Sequence, residues 1–492
     1  MLICIVEISV FTGGATASEL SSSQVKALQP QSVKAVSYSA TKIKVTWKKI
    51  SGVDGYIVYR ALSKNGTYKR AYRTTNPDKL YYINTGRTTG KKYYYRVRGF
   101  KIIEGKTYYT KYSPIVSACA KEKIANPVPD YVQAEAERVA AQVKKHQNEN
   151  TISFLAVSDL HVDSNYPQSM ESARHAGQAM SIIKVLIPID FGFSSGDMTV
   201  GSSVTTIVKG RNEILEASKV LDTGFSGITN FRTIGNHDPL GYSYPQNREH
   251  LTAEELYSLI GEKASGVVYP KEGSERGYCY KDFYSKKIRV ICLNTSDVDQ
   301  DDFAVIQKVD AGKISGTQMK WFAETLDLSA KKDASEWSIL ILSHHPLDWG
   351  EIHTATRVLD AYEKGSRLSM QYDGASITYN YKGRNSANII AQIHGHTHTF
   401  KIDNLHIINN YKGTPIGIKR ITIPNACFGR NNEYGVNGGT EYYGIEFGET
   451  VTYEKTAGTE KDTAFCVVTI DLVKHRIYLD CYGAGYDRIV EY

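Results

Sequence analysis

The sequence predicts two domains of different class, an all-β sandwich followed by a larger α/β domain. Three observations carry that reading. Residues 29–120 alternate apolar and polar side chains, as at Ile43, Val45 and Trp47 and again at Tyr93, Tyr95 and Val97. A period of two is the signature of half-buried strands. Beyond residue 150, five short apolar runs read as buried strands, and each gives way at once to residues suited to bind a metal ion. A chain of 492 residues is also too long for one ordinary domain.

The chain opens with Met1-Leu2-Ile3-Cys4-Ile5-Val6 and reaches Ala15-Thr16-Ala17-Ser18. An apolar stretch before an Ala-x-Ala site predicts a secretory signal peptide over residues 1–17, although no Lys or Arg precedes it and Glu7 interrupts it. A secreted or cell-wall-associated protein is expected. No later stretch approaches the roughly 20 apolar residues of a membrane span.

Gly52, Gly55, Gly66, Gly86, Gly90 and Gly105 punctuate residues 29–120 into about seven short strands, which suits a β-sandwich. This segment holds 19 Lys and Arg against 3 Asp and Glu in a chain whose net charge is +7, so the remainder is net acidic. Such a basic, tyrosine-rich unit is expected either to attract an anionic cell-wall polymer or to serve as a plain spacer; specific nucleic-acid binding is not expected. Asn126-Pro127-Val128-Pro129 marks a linker over residues 121–130, and the second domain is expected to span 131–492. Val132, Ala136, Val139 and Val143 recur at helical spacing after it, so one face of a helix there should be buried. The seven cysteines show no Cys-x-x-Cys spacing. Removal of the expected signal peptide takes Cys4 and leaves six, an even number that permits disulfides without requiring them. Cys279, Cys292 and Cys466 fall in strand-like runs, where buried free thiols are expected.

The chemistry lies in five pieces. Ile152–Val157 leads into Asp159-Leu160-His161, and Ile187–Phe193 into Gly196-Asp197. Phe231–Ile234 leads into Gly235-Asn236-His237-Asp238, Trp337–Leu342 into His344, and Asn388–Ile393 into Gly395-His396-Thr397-His398. Ligands in open α/β sheets gather at the carboxyl ends of strands, so five strands ending this way imply one shared site. The donors are nitrogen and oxygen without thiolate, which suits Mn, Fe, Zn or Mg in an open site. They are too many for one catalytic ion. Two divalent or mixed-valence ions sharing a bridging carboxylate fit the count, and Asp197 beside Gly196 is the natural bridge.

The order Asp-x-His, Gly-Asp, Gly-Asn-His-Asp, His, Gly-His-x-His over residues 152–398 resembles the calcineurin-like metallophosphoesterase superfamily. The resemblance implies a four-layer αββα domain that hydrolyses phosphomonoester or phosphodiester bonds by attack of a hydroxide bridging two metals. It assigns one metal to Asp159, His161, Asp197 and His398, and the other to Asp197, Asn236, His344 and His396. It makes His237 catalytic, with Asp238 orienting that ring. Gln318–Phe322 resembles a helix between the third and fourth motifs. The position three after Asp197 is Val200, where purple acid phosphatases carry tyrosine, and the third motif ends in Asp238, where serine/threonine phosphatases carry glutamate. The first domain resembles a fibronectin type III domain, with Trp47 as its core tryptophan and Tyr93 as its tyrosine corner.

His345 and His394 stand beside expected ligands and read as packing or substrate-facing residues. Residues 405–424, and a hairpin over Cys466–Ile470 and His475–Leu479, are expected to complete a sheet of the second domain. The alternative to an enzyme is a non-catalytic cell-surface or cell-wall binding protein built on the same scaffold.

Overall fold

The structure is a computed structural model. It describes residues 20–39, 41–88, 90–120, 127–201, 206–240, 250–260, 266–271, 277–297, 312–384, 387–398, 400–409, 412–428, 440–442 and 452–492. The expected signal peptide over 1–17 and residues 121–126 of the expected linker lie outside them. The chain divides into two units, Met1–Pro127 and Val128–Tyr492.

The first unit is a β-sandwich. Lys34–Ser39, Lys42–Thr46 and Tyr81–Asn84 form one antiparallel sheet. Lys69–Thr74, Gly55–Ala61, Lys92–Ile103 and Lys106–Tyr109 form the other, with Val116–Cys119 also paired to Lys92–Ile103. The alternation read from the sequence is the packing. Ile43, Val45, Trp47, Tyr56, Val58, Tyr93, Tyr95 and Val97 fill the space between the sheets, and the Trp47 and Tyr56 rings meet at 5.4 Å. Tyr93 closes a corner: its hydroxyl accepts the Thr88 N–H at 3.1 Å. Alternating with the buried Tyr95 and Val97, Arg96 and Arg98 turn outward. Arg96 lies 3.9 Å from the Tyr112 ring and 4.4 Å from that of Tyr68, and Arg98 lies 3.9 Å from Tyr109. Much of the basic surplus is thus carried on aromatic faces, where ring quadrupoles attract cations.

The second unit has four layers. One six-stranded sheet runs Thr229–Arg232, Phe191–Ser194, Thr151–Val157, Ala464–Asp471, Arg476–Gly483, Arg488–Glu491. Its first three strands are parallel and the rest antiparallel. The other runs Cys279–Phe283, Ile288–Cys292, Ser338–Leu342, Asn388–His394, Lys412–Thr422, Lys401–Asn409. Between them Phe154, Phe191, Phe193 and Phe231 meet Val290, Leu340, Leu342, Ile393 and Ile421 in one buried cluster. Each such side chain contributes about 1.5–3 kcal/mol on leaving water. Helices Asp130–Val143, Pro167–Leu186 and Ile207–Gly224 cover the outer face of the first sheet. Gly316–Leu326 and Ala355–Glu363 cover that of the second. Val132, Ala136, Val139 and Val143 are buried, as their spacing demands.

Some expected elements differ in extent; the run Phe231–Ile234, for one, is a strand over Thr229–Arg232. The run Ile187–Phe193 becomes a strand only at Phe191–Ser194. Ile187 caps the preceding helix, Pro188 has no N–H to give a ladder, and Asp190 instead accepts the Ser153 N–H through its side chain. The helix expected from residue 131 starts at Asp130, just after Pro129. Among the described residues no helix is long and apolar enough to cross a membrane.

Replacing Tyr93 by Phe leaves the Thr88 N–H without its acceptor. The first unit should lose roughly 1–3 kcal/mol of stability by chemical denaturation while the second unit's transition stays in place.

Candidate metal centre

Every expected ligand sits within a few residues of the end of a strand, and the chain there bends in a way few residues accept. Asp159, His161, Asp197, His396 and His398 all have positive φ, between 41° and 67°. Backbone of this kind persists where the surroundings over-determine it. Three glycines permit the crowding. A Cβ on Gly196 would run into the Gly235 backbone, one on Gly235 into the Asp197 carboxylate, and one on Gly395 into Ser158 Oγ, Ser195 Oγ and Asp159 Oδ2. The Gly-Asp, Gly-Asn-His-Asp and Gly-His-x-His motifs therefore carry glycine because three strand ends converge on the same few ångströms.

The first group is Asp159, His161, Asp197 and His398, whose donor atoms all lie within 4.8 Å of one another. His161 Nε2 is 3.1 Å from His398 Nε2, 3.4 Å from Asp197 Oδ2 and 3.7 Å from Asp159 Oδ1. Asp159 Oδ1 is buried and accepts no hydrogen bond among the described residues. Its other oxygen accepts from Ser158 Oγ and from the His396 N–H at 3.1 Å. An ionised oxygen left bare among ring nitrogens is what a cation site provides.

The second group centres on His344. Its Nδ1 stands 2.7 Å from the Ser195 carbonyl. A carbonyl only accepts, so Nδ1 carries the hydrogen and Nε2 is turned inward, 2.9 Å from Asn236 Oδ1 and 3.4 Å from Asp197 Oδ2. His396 Nδ1 lies 3.0 Å from the same Asn236 oxygen. Converging lone pairs fit a second cation. Asp197 Oδ2 thus stands 3.4 Å from a histidine of each group.

The electrostatics favour positive charge here. Although burial lowers them, Asp159 and Asp197 raise the His161 ring to about 9, and the same carboxylates, Asp197 foremost, raise His344 to about 9. Asp197 resists burial because His344 and His237 hold its carboxyl well below the usual range.

His237 and Asp238 face different partners from those the motif suggests. His237 Nδ1 donates to the Val200 carbonyl at 2.6 Å, its N–H donates to Asp197 Oδ1 at 2.9 Å, and its ring lies 4.8 Å from that of His161. Burial holds that ring down to about 4. The Asp238 carboxylate accepts the N–H groups of Met198, Gly235 and Asp197 at 2.7, 2.9 and 3.1 Å. It fastens the loop around Asp197 and leaves the His237 ring to Val200. Burial, with the Asp197 charge, raises Asp238 to about 7.

Of the two ambiguous histidines, His394 is structural, with Nδ1 against the Gly395 carbonyl and Nε2 against Thr422 Oγ1. His345 is not simple packing. Its Nδ1 meets Thr295 Oγ1 at 2.9 Å, and its donor atoms join those of His344 and His396 within 4.8 Å. Adjacency to His344 was its only signal in the sequence. Trp349, 44% exposed, stands edge-on to His396 at 5.2 Å and was not singled out.

Residues 152–400 match the family model for calcineurin-like phosphoesterase. The chain belongs to this family. Its phosphoesterase domain holds all five motifs and both candidate cation groups. None of the curated proteins matches the chain. Solved structures of fibronectin type III domains do. A fibronectin type III-like protein from Clostridium thermocellum is 27% identical, over 19% of this chain and 95% of that one, with TM-score 0.16. The sixth such domain of human fibronectin type III domain containing protein 3 is 20% identical, over 23% and 99%, with TM-score 0.17. The FN1–FN3 domains of chicken CNTN1 are 15% identical, over 20% of this chain and 33% of that one, with TM-score 0.17. The sandwich described above stands on its own strand order.

Replacing Gly395 by Ala forces Asp159 and Ser158 aside. The purified variant should fold with an unchanged circular dichroism spectrum and carry less bound metal than the parent by elemental analysis.

Proposed function

We propose that the protein is a hydrolase of phosphomonoesters or phosphodiesters that works with two divalent cations, drawn from Mn, Fe, Zn or Mg. The observation that carries this is the placing of Asp197 Oδ2 3.4 Å from both His161 and His344, so that one carboxylate serves both groups. Asp159, His161, Asp197 and His398 would hold one ion, and Asp197, Asn236, His344 and His396 the other. Cations bound there supply Lewis acidity and a nucleophilic hydroxide at neutral pH, as two-metal phosphoesterases require.

The chain's own groups do the rest. Ser195 fixes the His344 tautomer, and Asp238 fixes the loop that aims Asp197. With Nδ1 committed to Val200, His237 meets substrate through Nε2. Burial keeps the ring neutral at neutral pH. An arriving phosphoryl anion raises the proton affinity of that nitrogen, and the ring then steadies developing charge or protonates the leaving oxygen.

The test combines metal content with turnover of a chromogenic phosphoester. The parent should carry about two equivalents of metal, and Asp197→Asn should lose metal and more than about 100-fold in kcat/KM. His237→Ala should keep its metal and lose roughly 10²–10⁴-fold in kcat. A metal-free parent, even after metal is supplied, would leave the scaffold reading instead.

Export and wall association extend the proposal. The Ala15-Thr16-Ala17 site and the basic sandwich support a protein released to the cell surface and held there by an anionic polymer. The chain should sediment with purified cell wall at low ionic strength and be released by added salt. Pelleting that is indifferent to salt would remove the electrostatic account.

A further inference from the structure

Two pairs of cysteines face each other across antiparallel strands, and neither belongs to the metal centre. Cys466 is opposite Cys481 in the hairpin of Ala464–Asp471 and Arg476–Gly483. Cys279 is opposite Cys292 at the edge of the other sheet. The geometry of the first pair points to a covalent link, and we propose that Cys466 and Cys481 form a disulfide when the chain folds under oxidising conditions.

The backbone supplies the first argument. Residues opposite each other in an antiparallel pair alternate between hydrogen-bonded and non-hydrogen-bonded positions, and the latter bring Cα atoms to about 4.5 Å. The Cys481 N–H donates to Asp487 Oδ1 at 2.9 Å, and its carbonyl accepts from Arg138 at 2.7 Å. Both groups therefore turn away from the strand that holds Cys466, which puts the pair at the narrow kind of position. That spacing falls in the roughly 4.4–6.8 Å a disulfide spans without backbone movement. The side chains agree: the two Sγ atoms stand 2.7 Å apart.

The surroundings supply the second argument. Both cysteines are fully buried beside Val468, Ile477 and Leu479 in the layer between the sheets. Neither joins a candidate metal group among the described residues, and nothing in the proposed reaction uses a thiol. In the second pair the neighbouring Tyr280 bonds Val268 through both its N–H and its carbonyl. Cys279 therefore faces its partner strand at a hydrogen-bonded position, and the proposal is confined to the first pair, whose sulfur atoms stand 2.7 Å apart.

The chemistry balances with a disulfide donor RS–SR, either a small-molecule disulfide or a protein dithiol oxidase. One cysteine thiolate attacks the donor and releases RS⁻. The second attacks the mixed disulfide at the cysteine sulfur and releases another RS⁻. The two thiol protons pass to the leaving thiolates, giving Cys–S–S–Cys and two RSH. Burial raises the Cys481 thiol, and the thiolate is the reacting form. Closure therefore belongs to the folding chain, before the sheets meet.

The test uses the full chain exported into a bacterial periplasm, denatured directly in an alkylating agent and mapped by mass spectrometry. The half-buried Cys119 reports that the trap works. The expected result is an untagged peptide pair joined through Cys466 and Cys481, with a melting temperature that falls by roughly 5 °C on reduction. The Cys481→Ala variant should show no such fall. Recovery of both cysteines tagged, or a parent that melts at the same temperature before and after reduction, overturns the proposal.

Discussion

One carboxylate held in one place is the constraint on which the rest depends. Asp197 accepts the His237 N–H, receives its own backbone support from Asp238, and sits against Gly235 so closely that no side chain fits there. Its backbone is left-handed, at φ 51°. A non-glycine residue in such a conformation costs of order 1–3 kcal/mol, and only packed surroundings keep it there. The surroundings are the two sheets. Asp159, His161, Asp197 and Asn236 follow strands of one; His344, His396 and His398 follow strands of the other. The site exists only where the sheets are stacked in register, so the aromatic layer of Phe154, Phe191, Phe193 and Phe231 positions the polar atoms it never touches.

Local signals were legible because each motif is a few residues long and follows its own apolar run. That the five motifs meet in one place needed only the rule that polar residues at the ends of parallel strands converge, whereas the grouping of Asp159, His161, Asp197 and His398 came from the family resemblance. The sandwich was legible for a similar reason, since Tyr93 reaches Thr88 only five residues away. What failed to show was long-range. Asp238 reads as a partner of its neighbour His237, yet it bonds Met198, forty residues distant. His345 reads as the far side of a strand, yet the turn after Leu342 brings its ring 4.3 Å from His396. The strand expected from Ile187 shortened because Pro188 and Asp190 answer to the chain beside them rather than to apolar periodicity.

The two units handle charge by opposite means. In the sandwich, Arg96 and Arg98 spread their charge over tyrosine faces at the surface. In the phosphoesterase domain, carboxylates and imidazoles are buried together, and their proton affinities move apart, with His161 and His344 raised and His237 lowered. Opposed shifts in one enclosure mark a place arranged for charged chemistry rather than for stability alone.

Sheet order has a temporal meaning as well. Ala464–Asp471 lies beside Thr151–Val157 near the middle of its sheet, with Ala156 opposite Cys466 and Thr151 opposite Asp471. More than three hundred residues separate these neighbours along the chain. Contacts so remote in sequence slow folding, because the intervening loop must close before any pairing rewards it. During synthesis the strand ending at Val157 leaves the ribosome long before its partner has been translated, and its exposed edge must wait. The phosphoesterase domain is therefore assembled only once Ala464–Asp471 has been made, while the N-terminal sandwich, whose strands pair with near neighbours, can close long before.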